Sequence, residues 1–299
     1  LQRCAAQSQQ QPDPAAPEER RKLQDQLDAE IARLDEQIQQ KPDNVELYSQ
    51  RGDQRFFRGR FDLAVADYDQ MVKLDPALET SHWRRGIACF YAGKFREAAR
   101  QFEVYHAFDD VDRENGIWRY LSQVKAEGKE KAREGLLRYR KDDREPFPDL
   151  YKMFSGELKP DAVLEKIDKA RLPSLEREKR LFYAHLYLGL NDYVEERPES
   201  AERHLQRAVR NRWAPRAGGG PAFMWHVARV HHELLEASRN RAAAPSHCWR
   251  AGAALVPPDA LGQPLNWPRP RAAPELRFAL GSSSAWAQVR TTRPKTHFC

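Results

Sequence analysis

At 299 residues, 40% of them hydrophobic and 31% charged, the chain is long enough to bury a sizeable core. No run of about 18 apolar residues occurs, so the sequence offers no membrane-spanning helix. The net charge of +6 equals the charge of residues 241–299 alone, which leaves residues 1–240 neutral and tells little about the partners of a folded domain.

The first 17 residues are rich in Gln, Pro and Ala and read as disordered. The first residue is not Met, so the sequence reads as a fragment or a processed product. From Glu18 to Gln40 the apolar residues Leu23, Leu27, Ile31, Leu34 and Ile38 recur every three or four positions. That spacing predicts an amphipathic helix, expected to pack as a cap on the helices after it, with a coiled-coil dimer as the competing arrangement.

Val45–Leu78 and Glu79–Asp112 match each other at an offset of 34 residues. Gly52 answers Gly86, Gly59 answers Gly93, Phe61 answers Phe95, Ala64 answers Ala98, and Tyr68 answers Phe102. Such a period predicts stacked helical hairpins. Glycine inside a helix costs roughly 0.5–1 kcal/mol against alanine, which makes sense at Gly52 and Gly86 if two helices must approach closely there. Gly59-Arg60 and Gly93-Lys94 supply the turns, and Leu74-Asp75-Pro76 ends the second helix of the first unit.

A degraded third unit comes next. Tyr120 stands where the glycine stood, Trp118, Leu121 and Val124 form an apolar face, and Gly128 breaks toward a turn. Leu136 and Leu137 are expected to continue its second helix. Residues 140–148 read as a connector, 150–154 as a short helical turn and 160–170 as a helix. Pro173-Ser174 breaks the chain, and Ser174 can cap the next helix. A fourth hairpin fits 175–211, with Ala201 at the position of Ala64 and a turn over 191–197 longer than the repeat expects. Gly218-Gly219-Gly220-Pro221 predicts a flexible break. A final helix over 223–236 is apolar on the side of Phe223, Val227, Val230 and Leu234, and is expected to cover the last hairpin. Residues 241–299 hold eight prolines and no helix-period stripe, and read as a disordered basic tail.

On Tyr48, Gly52, Gly59, Phe61, Ala64, Tyr68 and Pro76, and on Gly86, Gly93, Phe95, Ala98 and Phe102, the chain resembles the tetratricopeptide repeat (TPR) family. It departs from the family pattern at His82 and Asp110. The resemblance implies an all-α helical-hairpin solenoid with flexible termini, its repeat domain over 18–240, acting as a scaffold or adaptor. The order of parts from about 20 to 211 also resembles, more loosely, the NlpI-like bacterial outer-membrane lipoproteins. Arg85-Gly86-Ile87-Ala88, Phe90-Tyr91 and Phe182-Tyr183 carry that likeness. It implies dimeric adaptors for cell-wall hydrolases and a protease. Leu1-Gln2-Arg3-Cys4 has Leu and Cys at lipobox spacing, but Gln and Arg replace the small residues and no apolar segment precedes them, which argues against a lipid anchor.

In such a solenoid the first helices line the concave face. In this register Ser49, Asp53, Trp83, Arg84, Ile87 and Tyr91 are the groove candidates for capturing another protein or peptide. Trp83 and Tyr91 lean toward the groove, whereas Phe57 and Phe90 read as core. Asp53 would repel a carboxylate, which argues against recognition of a C-terminal acid, although Arg84 could bind an acid elsewhere.

Catalytic signatures are missing. Gly218–Gly220 lacks the lysine and hydroxyl of a phosphate loop, and no dinucleotide fingerprint occurs. His226, His231 and His232 share a predicted helix, but a spacing of five does not align the first two on one face. The cysteines at 4, 89, 248 and 299 have no zinc spacing, and Cys89 reads as a buried thiol. No cofactor or small-molecule substrate is implied. The expected function is a noncatalytic protein-binding scaffold, with self-association into a homodimer left open. The alternatives are an RNA-associated factor using the basic tail, with nucleic acid otherwise disfavoured, and a cell-envelope adaptor of the NlpI-like kind. Compartment and partner identity are not legible.

Overall fold

The computed structural model describes residues 16–141 and 143–243, all within the first of the two units into which the chain divides, Leu1–Asn266. The expectations of disorder for the first residues and for the basic tail fall mainly outside these residues. Among the described residues the fold is all-α, with no strand. No helix among them is long and apolar enough to cross a membrane.

Helix α1 (Pro17–Gln40) packs on α2 (Val45–Phe57), as a cap should. It buries Leu27, Ile31, Leu34 and Ile38, and Leu23 is half-buried. Four such side chains contribute on the order of 6–12 kcal/mol of burial, as an upper bound. Charge fixes the register. Asp67 of α3 (Phe61–Leu74) is buried between Arg51, 2.6 Å away, and Arg55, 2.9 Å away. Asp35 of α1 takes the other Nη of Arg51 at 2.6 Å.

The two strong repeats form the hairpins α2–α3 and α4 (Trp83–Tyr91)–α5 (Phe95–Phe108), joined by a 3₁₀ turn, Pro76–Ser81. The glycines explain the close packing. A Cβ on Gly52 would lie 2.6 Å from the Tyr68 ring, and one on Gly86 would lie 2.7 Å from the Phe102 ring. Gly59 and Gly93 take φ of 80° and 77° at the two turns, a conformation costly for other residues. His82, which departs from the repeat pattern, serves as N-cap of α4. Its Nδ1 accepts the Arg85 amide at 3.2 Å, and its ring tilts on Tyr68 with centroids 4.8 Å apart.

The third hairpin is cut short. Helix α6 (Arg113–Glu127) is succeeded by α7 (Lys129–Glu134), which stops at Gly135. Leu136 and Leu137 therefore lie outside it, contrary to expectation. Arg119 instead donates to the Gly135 carbonyl, and the Tyr151 hydroxyl to the Leu137 carbonyl at 2.7 Å. Helices α8 (Phe147–Ser155) and α9 (Pro160–Lys169) come after the connector.

The fourth hairpin joins α10 (Ser174–Val194) to α11 (Pro198–Val209). Ser174 is already helical and makes no capping bond, so the chain breaks at Pro173 without a side-chain cap. The turn is not longer than in the strong repeats. A Cβ on Gly189 would lie 2.7 Å from Leu205, sixteen residues on, the same separation as Gly52–Tyr68 and Gly86–Phe102. Glu196 takes φ of 60°, where those units place Gly59 and Gly93.

Helix α12 (Gly219–Ala243) starts earlier and ends later than the sequence suggests. It packs on α11 as expected and also on α2. Phe223, Met224, Trp225, Val227, Ala228, Arg229, Val230, His231 and His232 are all buried, so this middle stretch is covered on several sides rather than along one stripe. Its far end reaches α1, where Arg20 lies 2.7 Å from Glu236.

Candidate functional site

The face lined by α2 and α4 is not an open groove, because α12 lies in it. Phe223 stacks on Phe56 with centroids 5.1 Å apart, meets Phe57 at 5.2 Å, and makes a T-shaped contact with Trp83 at 5.0 Å. His226 stacks on Phe57 at 3.8 Å. Arg229 donates to the Phe57 carbonyl and lies 2.9 Å from Glu233. His231 Nδ1 sits 2.9 Å from the Tyr91 hydroxyl. Burial keeps both histidines uncharged, lowering His231 to about 3 and His226 well below its ordinary value.

This arrangement revises the expected groove. Tyr91 and Ile87 are buried, with Tyr91 held by α12. Phe90 is core, and Phe57 is partly buried against it. Ser49, Asp53 and Arg84 are brought together, but they satisfy one another. Arg84 donates to Asp53 at 2.6 Å and to Ser49 Oγ at 2.9 Å, and Asp53 also accepts the Tyr68 hydroxyl at 2.6 Å. Burial pushes the Asp53 carboxyl upward, against the pull of Arg84 and Tyr68. Arg84 is thus committed to a neighbour instead of awaiting an acid.

Trp83 and Ile87 also face a second space. A cleft of about 510 Å³ lies between α4, α5, α6, α10 and the start of α12. Trp83, Phe102, Trp118, Tyr183 and Trp213 form its walls, and Asp112, Glu114, Arg144 and Lys179 bring charge to it. Asp112 is the N-cap of α6, accepting the Glu114 amide at 3.0 Å. Glu114 in the first turn accepts hydrogen bonds from Arg144 and from the Tyr187 hydroxyl, which itself receives Trp118 Nε1–H at 3.1 Å. Arg144 reaches Asp112 at 3.1 Å and Asp143 at 3.2 Å, and its guanidinium covers the Phe147 ring at 4.2 Å.

The electrostatics of this floor are strained. Burial pushes Glu114 up to about 7, Arg144 and Tyr187 pull it back, and Asp112 and Asp143 push it further up. Burial raises Asp112 as well, opposed by Arg144. Burial alone would lower Arg144, but Glu114, Asp112 and Asp143 together raise it. Three carboxylates share one guanidinium, and of these four groups the sequence marks only those of the charged connector before α8, without joining them to a site.

A second cluster holds Glu202, His232 and Glu236, whose ligand atoms lie within 4.8 Å of one another. Its carboxylates are engaged by Arg239 on Glu202 and Arg20 on Glu236, so cations already neutralise it. His226 and His231, the other histidines of that helix, are spent on Phe57 and Tyr91. Cys89 is buried, and burial raises its thiol to about 11.

No protein-family model matches the chain, and no match is found among curated proteins.

Proposed function

We propose that the chain is a tetratricopeptide-like helical-hairpin solenoid that works as a noncatalytic adaptor, holding a partner polypeptide through the aromatic cleft beside Trp83. The observation that carries this reading is the cleft itself. It joins several large aromatic walls to a few charged groups, a composition suited to anchoring protein side chains.

Energy argues for the cleft over the inner face. Displacing α12 from the inner face would expose Phe223, Met224, Trp225, Val227 and Val230. Their burial is worth on the order of 10 kcal/mol, as much as the whole stability of a domain. A competing helix would unfold the protein before it gained the groove. The cleft has a volume of about 510 Å³. One or two anchoring side chains from an extended or loop segment fit it.

The test is capture from source-cell lysate by the full chain, with a Trp83→Ala/Trp213→Ala variant and a Leu63→Ser variant alongside. Leu63 is exposed on α3, away from the cleft. A protein retained by the native chain and by Leu63→Ser, but lost by the folded cleft variant, supports the reading. Equal capture by all three places binding elsewhere and rejects it.

A further inference from the structure

We propose that the cleft accepts an arginine or lysine side chain of the partner polypeptide, its cationic head against Asp112 and Glu114 and its stem between the aromatic walls. The inference rests on the protein-binding reading and supplies the chemistry of the anchor.

Charge complementarity selects the occupant. Asp112, Glu114 and Asp143 surround a single guanidinium, that of Arg144. The other groups facing Glu114 are the hydroxyl of Tyr187 and the ring of Tyr183, both on α10. Lys179, the second cation lining the cleft, is 3.7 Å from Glu176 on its own helix. With Asp143 counted beside Arg144, the floor sets three carboxyl groups against one guanidinium, and two of the three, Asp112 and Glu114, line the cleft. Glu114 has 13% of its side chain exposed and Asp112 24%, enough for an entering group to touch them.

Hydrogen-bond capacity points the same way. A carboxylate offers about four lone-pair sites. Glu114 Oε1 accepts Tyr187 and Oε2 accepts Arg144, while Asp112 Oδ2 accepts the Asn115 amide at 2.8 Å. Asp112 Oδ1 already accepts the Glu114 amide and Arg144, but each of the other three oxygens can take a further donor, and a guanidinium or ammonium supplies donors without acceptors. The walls add a second attraction. Trp83 and Trp213, both partly exposed, line the cleft with ring systems whose faces attract cations. An acidic side chain would meet the carboxylate of Asp112 and, above about pH 7, that of Glu114, and a purely apolar one would leave both buried against hydrocarbon.

The pH behaviour is set by Glu114, which is ionised only above about 7. A cation beside it favours the ionised form, so binding should release a proton below that pH and weaken as the pH falls.

The experiment titrates the full chain with a capped pentapeptide, Ala-Ala-Arg-Ala-Ala, and with its citrulline counterpart, isosteric but uncharged. Tryptophan emission is read up to roughly 10 mM peptide, which reaches affinities of single hydrogen-bonded anchors. The arginine peptide should bind at least about tenfold more tightly than the citrulline one, the factor expected for a partly desolvated cation. Glu114→Gln should lower that preference to about threefold or less, with unchanged far-ultraviolet circular dichroism. Lys179→Ala removes a like charge and should tighten arginine binding by about twofold to fivefold, a gain that no folding defect produces. Equal binding of the two peptides, no arginine-dependent change over the whole range, or indifference to both substitutions overturns the inference. A captured protein that needs Trp83 and Trp213 but places no basic side chain in the cleft overturns it too, and leaves the adaptor reading standing. Capture that ignores Trp83 and Trp213 removes the reading beneath it.

Discussion

Glu114→Gln isolates the cost of the crowded carboxylate floor. In the folded protein Glu114 titrates at about 7, against an ordinary value of 4.5. The folded state therefore holds the proton in a range where the unfolded chain has released it. The stability contributed by protonated Glu114 is fully present below about pH 4.5 and is lost as the pH rises to about 7. That displacement from the ordinary value corresponds to roughly 3 kcal/mol, an upper figure for a largely buried group. Glutamine resembles the protonated acid at every pH. Arg144 keeps Asp112 and Asp143 as partners in the variant. Denaturant unfolding should find the variant equal to the native chain near pH 4.5. It should be more stable by about 2–3 kcal/mol above pH 7, with the gap opening between those values. A gap of constant size, or a variant less stable at pH 8 than the native chain, would refute the assignment of strain to Glu114.

The helix contacts make further predictions. Gly189→Ala drives a Cβ to 2.7 Å from Leu205 and 3.3 Å from the Ala201 carbonyl, and thermal unfolding should show a loss of about 1–3 kcal/mol. Glu196→Gly relieves a left-handed residue at φ of 60°. After the entropy cost of glycine it should gain up to about 1 kcal/mol, seen as a raised denaturation midpoint. Phe223→Ala removes the ring packed against Phe56, Phe57 and Trp83 and should cost about 3–5 kcal/mol, with a change in tryptophan emission from Trp83. A loss below about 1 kcal/mol would mean that α12 is a loosely held cover and not part of the core.

The hairpins are legible in the sequence because their packing leaves a spaced imprint. A glycine and, sixteen residues later, a bulky side chain mark the helix crossing at Gly52 and Tyr68, at Gly86 and Phe102, and at Gly189 and Leu205. The last pair is masked because Glu196 stands where the other units carry a turn glycine, which makes the turn look longer than it is. The inner face is less legible. Its first helices present aromatic residues whether they face solvent or another helix, and the sequence cannot distinguish the two at Tyr91. The signal lies downstream, in the run from Phe223 to His232, apolar and histidine residues interrupted only by Arg229, which suits a helix buried on several sides. The cleft depends on Asp112, Glu114 and Arg144, brought together across some thirty residues by the connector before α8. Abundant acids and arginines elsewhere hide such a set in one dimension.

The central claim is that partner contact occurs at the cleft and not at the face filled by α12. It is tested most directly by placing a photo-crosslinking amino acid in the full chain, at position 217, an exposed alanine lining the cleft, in one protein and at position 63 in another. After irradiation with source-cell lysate, a discrete polypeptide joined at 217 and absent at 63 is the predicted result. The same adducts from both positions, or a discrete adduct at 63 alone, would contradict the account.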